Sequence, residues 1–145
     1  MDGHDLETLG RVLQASISPV ALVSGVGLLI LSQTNRLGRV MDRLRGVIDQ
    51  RRALKMPDAH LDRELSVLHR RARILRGAIT TAVLSALFAS VLVLLLFATA
   101  MFGTRMDVFI VAMFATSLLS LILSLVLFIF DMNLALRAVQ EELLR

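Results

Sequence analysis

Hydrophobic positions along this chain follow two rhythms. In residues 17–31, 77–102 and 108–130 they are nearly continuous, and the second and third stretches hold no charge over 26 and 23 residues. Runs of that length and composition predict membrane-spanning helices. The first is shorter. Fifteen helical residues rise only about 22 Å against a hydrocarbon core of about 30 Å. Residues 12–16 and 32–35 are needed to complete that span, so its polar end, Ser32, Gln33, Thr34 and Asn35, lies at or just inside the interface. Between the first and second spans the rhythm changes. Leu37, Val40, Met41, Leu44, Val47 and Ile48 recur at helical spacing, and Leu61, Leu65, Leu68, Ala72 and Leu75 alternate by four and three. This is the seam of two antiparallel helical arms. Pro57 breaks the first arm, and Asp58 is placed to cap the second.

The pattern predicts an all-α membrane protein: three transmembrane helices, with a cytoplasmic antiparallel helical hairpin between spans one and two. Residues 1–35 form an N-terminal segment and the first span, and residues 36–76 form the hairpin. Residues 77–132 form spans two and three, joined by a short outer turn at 103–107. Residues 133–145 extend the third span as a helix, with Leu136, Val139 and Leu143 on a face that packs against the stalk.

Charge orients this arrangement. Residues 36–76 carry twelve Arg or Lys against five Asp or Glu, whereas the rest of the chain carries four against seven. The positive-inside rule places the basic loop in the cytoplasm, with the N-terminus outside and the C-terminus inside. The first sixteen residues, with Asp2, Asp5 and Glu7 against Arg11, lack the basic start of a cleaved signal peptide. Trp and Tyr are absent, so Phe88, Phe97, Phe102 and Phe109 are the candidates for aromatic interfacial contacts.

Composition also removes chemistry. With no Cys there is no disulfide, thiolate nucleophile or cysteine metal site. His60 and His69 stand nine apart, His4 is remote from both, and none forms a ligand pattern. "SGVG" at 24–27 lies inside a span and has no following Lys, so it is no phosphate loop. No catalytic, cofactor or metal role is expected, and no enzyme. The stalk has no aromatic residues and no nucleic-acid-binding motif.

Small and polar residues form stripes within the spans. Ser18, Ala21, Gly25, Ser32 and Asn35 share a face of span one, and Ala78, Ala82, Ala86 and Ser90 follow steps of four in span two. Ser117, Ser120 and Ser124 line span three and lead to Asp131 at its cytoplasmic end. Such stripes serve close helix packing, or they face a water-filled path. Asp131 calls for a partner at the membrane edge. Arg36 and Arg39 are expected to supply it, with Asn35 or Gln33 donating hydrogen bonds.

The run SISPVALVSGVGLLILSQTNRLGRVMDRLR at 16–45, followed by a charged helical stretch and a two-span hairpin, resembles a bacterial family of small membrane proteins, domain of unknown function 2721. The likeness covers residues 17–136 and implies a multi-pass protein of the bacterial inner membrane. It carries no assigned activity and so no functional residues. In topology alone the chain is also similar to the ExbB and TolQ motor subunits, which form pentameric rings around a central pore.

Two roles follow. The first is a homo-oligomeric ring, with a pentamer as the expected form, acting as an ion channel or pore. Ser117, Ser120, Ser124 and Asp131 would line it, with Asn35, Arg36 and Arg39 at the cytoplasmic mouth. The second is a non-conducting scaffold or accessory subunit whose basic stalk binds a cytoplasmic protein partner or anionic lipid. In either role Arg43, Arg70, Arg71, Arg73 and Arg76 are the expected contacts to anionic headgroups of the membrane.

Overall fold

The computed structural model describes residues 3–54, 59–102 and 107–143, with side chains for Glu7 and for residues 10–54, 59–102 and 107–136. Three helices account for nearly all of them: α1 (Gly3–Ala53), α2 (Ala59–Phe102) and α3 (Asp107–Leu143), with no strand among the described residues. Each is long and apolar enough to cross a membrane. About 20 residues suffice for a crossing, and these helices hold 51, 44 and 37. α1 and α2 therefore each join an apolar span to an arm of the charged stalk without a break. Pro57, Asp58 and the link at 103–106 lie outside the described residues.

α1 starts well before the apolar run that marks its span, and it carries Pro19 in its interior. Proline removes one backbone donor there and normally costs a helix about 3 kcal/mol. In hydrocarbon only a helix satisfies its backbone polar groups within a single segment, so the helix persists. Hydroxyls supply local bonds along the spans: Ser16 Oγ donates to the Val12 carbonyl at 2.8 Å and Ser90 Oγ to that of Ala86 at 2.8 Å.

The chain divides into two compact units, and each helix contributes to both. The first comprises Met1–Ile30 and Thr81–Ile122. Its buried residues are small or few: Ser16, Pro19, Val26, Ala82, Ser85, Ala89, Leu92 and Ser117. Its large apolar side chains point outward, with Leu28 72% exposed, Leu94 71% and Val108 86%. A water-soluble core would be the reverse. Small residues inside and large ones outside suit a lipid solvent, where close backbone approach rather than apolar burial holds helices together.

The second unit comprises Leu31–Thr80 and Leu123–Arg145. Here the interior is conventional. Val40, Val47, Leu61, Leu68 and Leu75 are buried together, with Leu37, Leu44, Leu65, Ala72 and Phe128 packed against them. The pairing is antiparallel, because rising α1 numbers meet falling α2 numbers. Arg43 pairs with Glu64 at 2.8 Å and Arg51 with Asp62 at 3.0 Å. The second pair joins the last turn of α1 to the first turn of α2, where each charge also complements the helix dipole.

Leu136 does not pack on the stalk. It is 61% exposed, and Leu134 and Ala135 are half-buried in its place. Phe128, about two turns earlier on α3, makes the apolar contact with the stalk seam. Val139 and Leu143 lie in the helix, but their side chains are outside those described.

Candidate functional site

Buried positions recur every seven residues on all three helices. On α1 they are Pro19, Val26, Gln33, Val40 and Val47; on α2, Leu61, Leu68, Leu75, Ala82 and Ala89; on α3, Ser117, Ser124 and Asp131. A seven-residue repeat is the period of left-handed helix packing. The expected small-residue stripe of span two, at steps of four, is only half inside. Ala78 and Ala82 are buried, Ala86 is half-buried and Ser90 is exposed. Steps of four overshoot the 3.6-residue turn by about 40° each, so the seam passes instead through Ser85 and Ala89. The stripe of span one faces outward: Ser18, Ala21, Gly25, Ser32 and Asn35 are all exposed.

The buried seam of α3 is polar throughout, and every member bonds to another helix. Ser117 Oγ donates to the Ser85 carbonyl at 2.9 Å. The Ser85 hydroxyl, 3.4 Å from Ser117 Oγ, is then the donor in that second contact, because the Ser117 proton is already committed. Ser124 Oγ donates to the Ala78 carbonyl at 2.8 Å and accepts from Gln33 Nε2 at 3.1 Å. Gln33 thus joins all three helices through one serine. Its Oε1 is buried and has no hydrogen-bond partner among the described residues.

Asp131 accepts from two guanidiniums, one on each stalk arm. Arg36 Nη2 donates to Oδ2 and Arg71 Nε to Oδ1, both at 3.2 Å. The carboxylate side chain is 0% exposed, and the arginines 23% and 17%. Arg36 is further held by the Phe128 ring, whose centroid lies 5.3 Å from the guanidinium carbon, and by the Met132 sulfur. The structure therefore forms the Arg36–Asp131 pair. It draws in Arg71 from the set expected at lipid headgroups, and it leaves out Arg39 and Asn35, both exposed. Gln33 bonds to Ser124 and not to the carboxylate.

Of the residues expected along a pore, Ser117, Ser124 and Asp131 are fully buried within one chain, while Ser120 is half-buried. Arg43, Arg70, Arg73 and Arg76 are exposed. Arg43 is tied to Glu64, and Arg73 Nη2 lies 3.2 Å from His69 Nε2. Sequence reasoning named four arginines of the stalk but assigned them to separate places and did not join them in one groove. Arg36, Arg39, Arg43 and Arg71 surround a groove floored by Val40 and Leu68. The signal for it was the i, i+3, i+7 spacing of arginines on α1.

These features define a multi-pass α-helical membrane protein with a polar seam inside its spans and a charged clasp where the seam ends. The chain belongs to the family described as protein of unknown function (DUF2721), whose model matches residues 16–141. No curated protein and no solved structure matches the chain.

Proposed function

We propose that this protein is a non-conducting scaffold of the bacterial inner membrane. Its spans anchor a preformed cytoplasmic helical stalk whose basic surface engages the anionic headgroups of the inner leaflet. One observation carries this reading above the others. The polar side chains at Ser117, Ser124 and Asp131 spend their hydrogen bonds inside one chain. A pore between copies would need such groups turned outward to replace an ion's hydration shell. The outward surface of spans two and three is instead dominated by large apolar residues such as Leu94, Leu119 and Ile122, and Ser18, Ser32 and Asn35 of α1 are outward polar exceptions. Basic residues next to a span attract anionic lipid at about 1 kcal/mol each, and Arg39, Arg70 and Arg76 are free to do so.

The chain is read as inactive in catalysis, and a cytoplasmic protein partner would dock on the stalk. Homo-oligomers, a pentamer included, are compatible with the exposed small-residue face of α1, but the proposed function does not depend on them. The pore reading rests on Ser120 alone among the serines of span three. Ion flux through purified protein in liposomes tests both. No flux above that of empty liposomes, across a range of pH and potential, supports the scaffold. Flux that Ser120→Leu abolishes at equal oligomeric state would overturn it in favour of a pore.

A further inference from the structure

Charge in the arginine groove does not balance within the chain. Four guanidiniums, from Arg36, Arg39, Arg43 and Arg71, line it. Two carboxylates face them: Asp131, shared by Arg36 and Arg71, and Glu64, paired with Arg43. Arg39 has no acidic partner among the described residues. A surplus of two positive charges is thus gathered over an apolar floor, the buried Val40 and Leu68. Like charges held this close repel, and an anion in the groove relieves that repulsion. Two of the guanidiniums are already positioned by Asp131 and Phe128, so an incoming anion meets donors whose entropy is spent in folding.

We infer that this groove is a discrete site for a phosphomonoester dianion, with Arg39 as its principal free ligand. A phosphomonoester carries close to the two negative charges that the surplus calls for. Its terminal oxygens match the forked donors of arginine. A phosphodiester carries one charge and offers fewer free oxygens. The same chemistry is presented by a phosphatidic-acid headgroup in the membrane and by a soluble phosphate. This site rests on the proposed basic stalk, but it asks for more than diffuse attraction: selectivity among anions and dependence on one particular arginine.

Full-length protein in zwitterionic nanodiscs would be titrated with short-chain phosphatidic acid, short-chain phosphatidylglycerol and inorganic phosphate, with bound species counted by native mass spectrometry. Arg39 is exposed and unpaired, so Arg39→Gln should fold. Arg52→Gln, also exposed, removes the same charge from the stalk outside the groove. The expected result is a single phosphatidic acid per chain, with phosphatidylglycerol weaker by about tenfold. Arg39→Gln should weaken phosphatidic acid by about tenfold, the scale of one lost charge-assisted contact, and Arg52→Gln by less than about twofold. Displacement of the lipid by millimolar inorganic phosphate would identify a soluble phosphate as sufficient. Retention of the lipid would identify a membrane-borne one. Equal binding of the two lipids, or equal loss in both variants, would overturn the discrete site and leave the basic stalk standing. No enrichment of either anionic lipid over zwitterionic lipid would sink both.

Discussion

Asp131 ties its own helix to both stalk arms of the second unit. It is a carboxylate without exposure at the end of an apolar span, tolerated because two guanidiniums meet it. Removing one member of such a cluster leaves charge buried and unpaired, at a cost of about 3–5 kcal/mol. Asp131→Asn should lower stability by that amount, read as denaturant midpoint or Tm in detergent. Replacing the whole cluster with Asp131→Leu, Arg36→Met and Arg71→Met should recover most of the loss, since packed apolar groups often equal a buried ion network. If the single variant is as stable as the parent, the clasp is ornamental. Gln33 predicts the opposite sign. Its Oε1 is buried without a partner, while Ser124 keeps its bond to the Ala78 carbonyl whatever Gln33 does. An unsatisfied buried acceptor costs about 1–3 kcal/mol, and the amide's bond to Ser124 returns about 1. Gln33→Met should therefore be neutral or raise the melting temperature. A clear drop would mean that Oε1 has a polar partner, such as a water, in the folded protein.

Among the elements, the two stalk arms and the spans obey different rules, and this decided what could be read in advance. In the stalk, leucines and valines at three- and four-residue spacing go inside, and Val40, Val47, Leu61, Leu68 and Leu75 sit where their periodicity puts them. Leu68→Ala should therefore cost about 2–5 kcal/mol. Leu54→Ala, at a 51% exposed site, should cost less than about 0.5. Comparable losses from both would refute the stalk core. In the spans apolar character carries no such information, because lipid accepts leucine on any face. The inside is marked instead by Ser117, Ser124 and Asp131 seven residues apart. That spacing is visible in the sequence, but it reads as a packing seam or as a wet lining. The choice depended on what the neighbouring helices offer at the same level. Within one chain the Ser85 and Ala78 carbonyls and the Arg71 guanidinium meet these side chains, and each contact depends on an inter-helix register set by tertiary packing rather than by local pattern. For the same reason Arg36 was legible as the partner of Asp131 and Arg71 was not.

For the molecule as a whole, the basic residues of 36–76 predict an orientation with the stalk in the cytoplasm, and the absence of cysteine makes that prediction directly measurable. Moving arginine-rich segments across a bilayer is opposed by both lipid charge and membrane potential. The stalk carries that excess as twelve basic against five acidic residues, while the chain before the first span and the turn between the other two carry little. Single cysteines at Gly10, Arg52 and Val108 would report one position on each side of the first and second spans, and all three sites are exposed. A membrane-impermeant maleimide on intact spheroplasts should label Gly10→Cys and Val108→Cys, and should reach Arg52→Cys only after the membrane is opened. The reverse pattern would put the arginine groove outside the cell, where the anionic inner leaflet cannot supply its ligand, and would count against the proposed role. Labelling of Arg52→Cys and Val108→Cys from the same side would be more serious still. Residues 59–102 lie between those positions as one continuous charged-to-apolar helix, and such a result would mean that α2 does not cross the membrane.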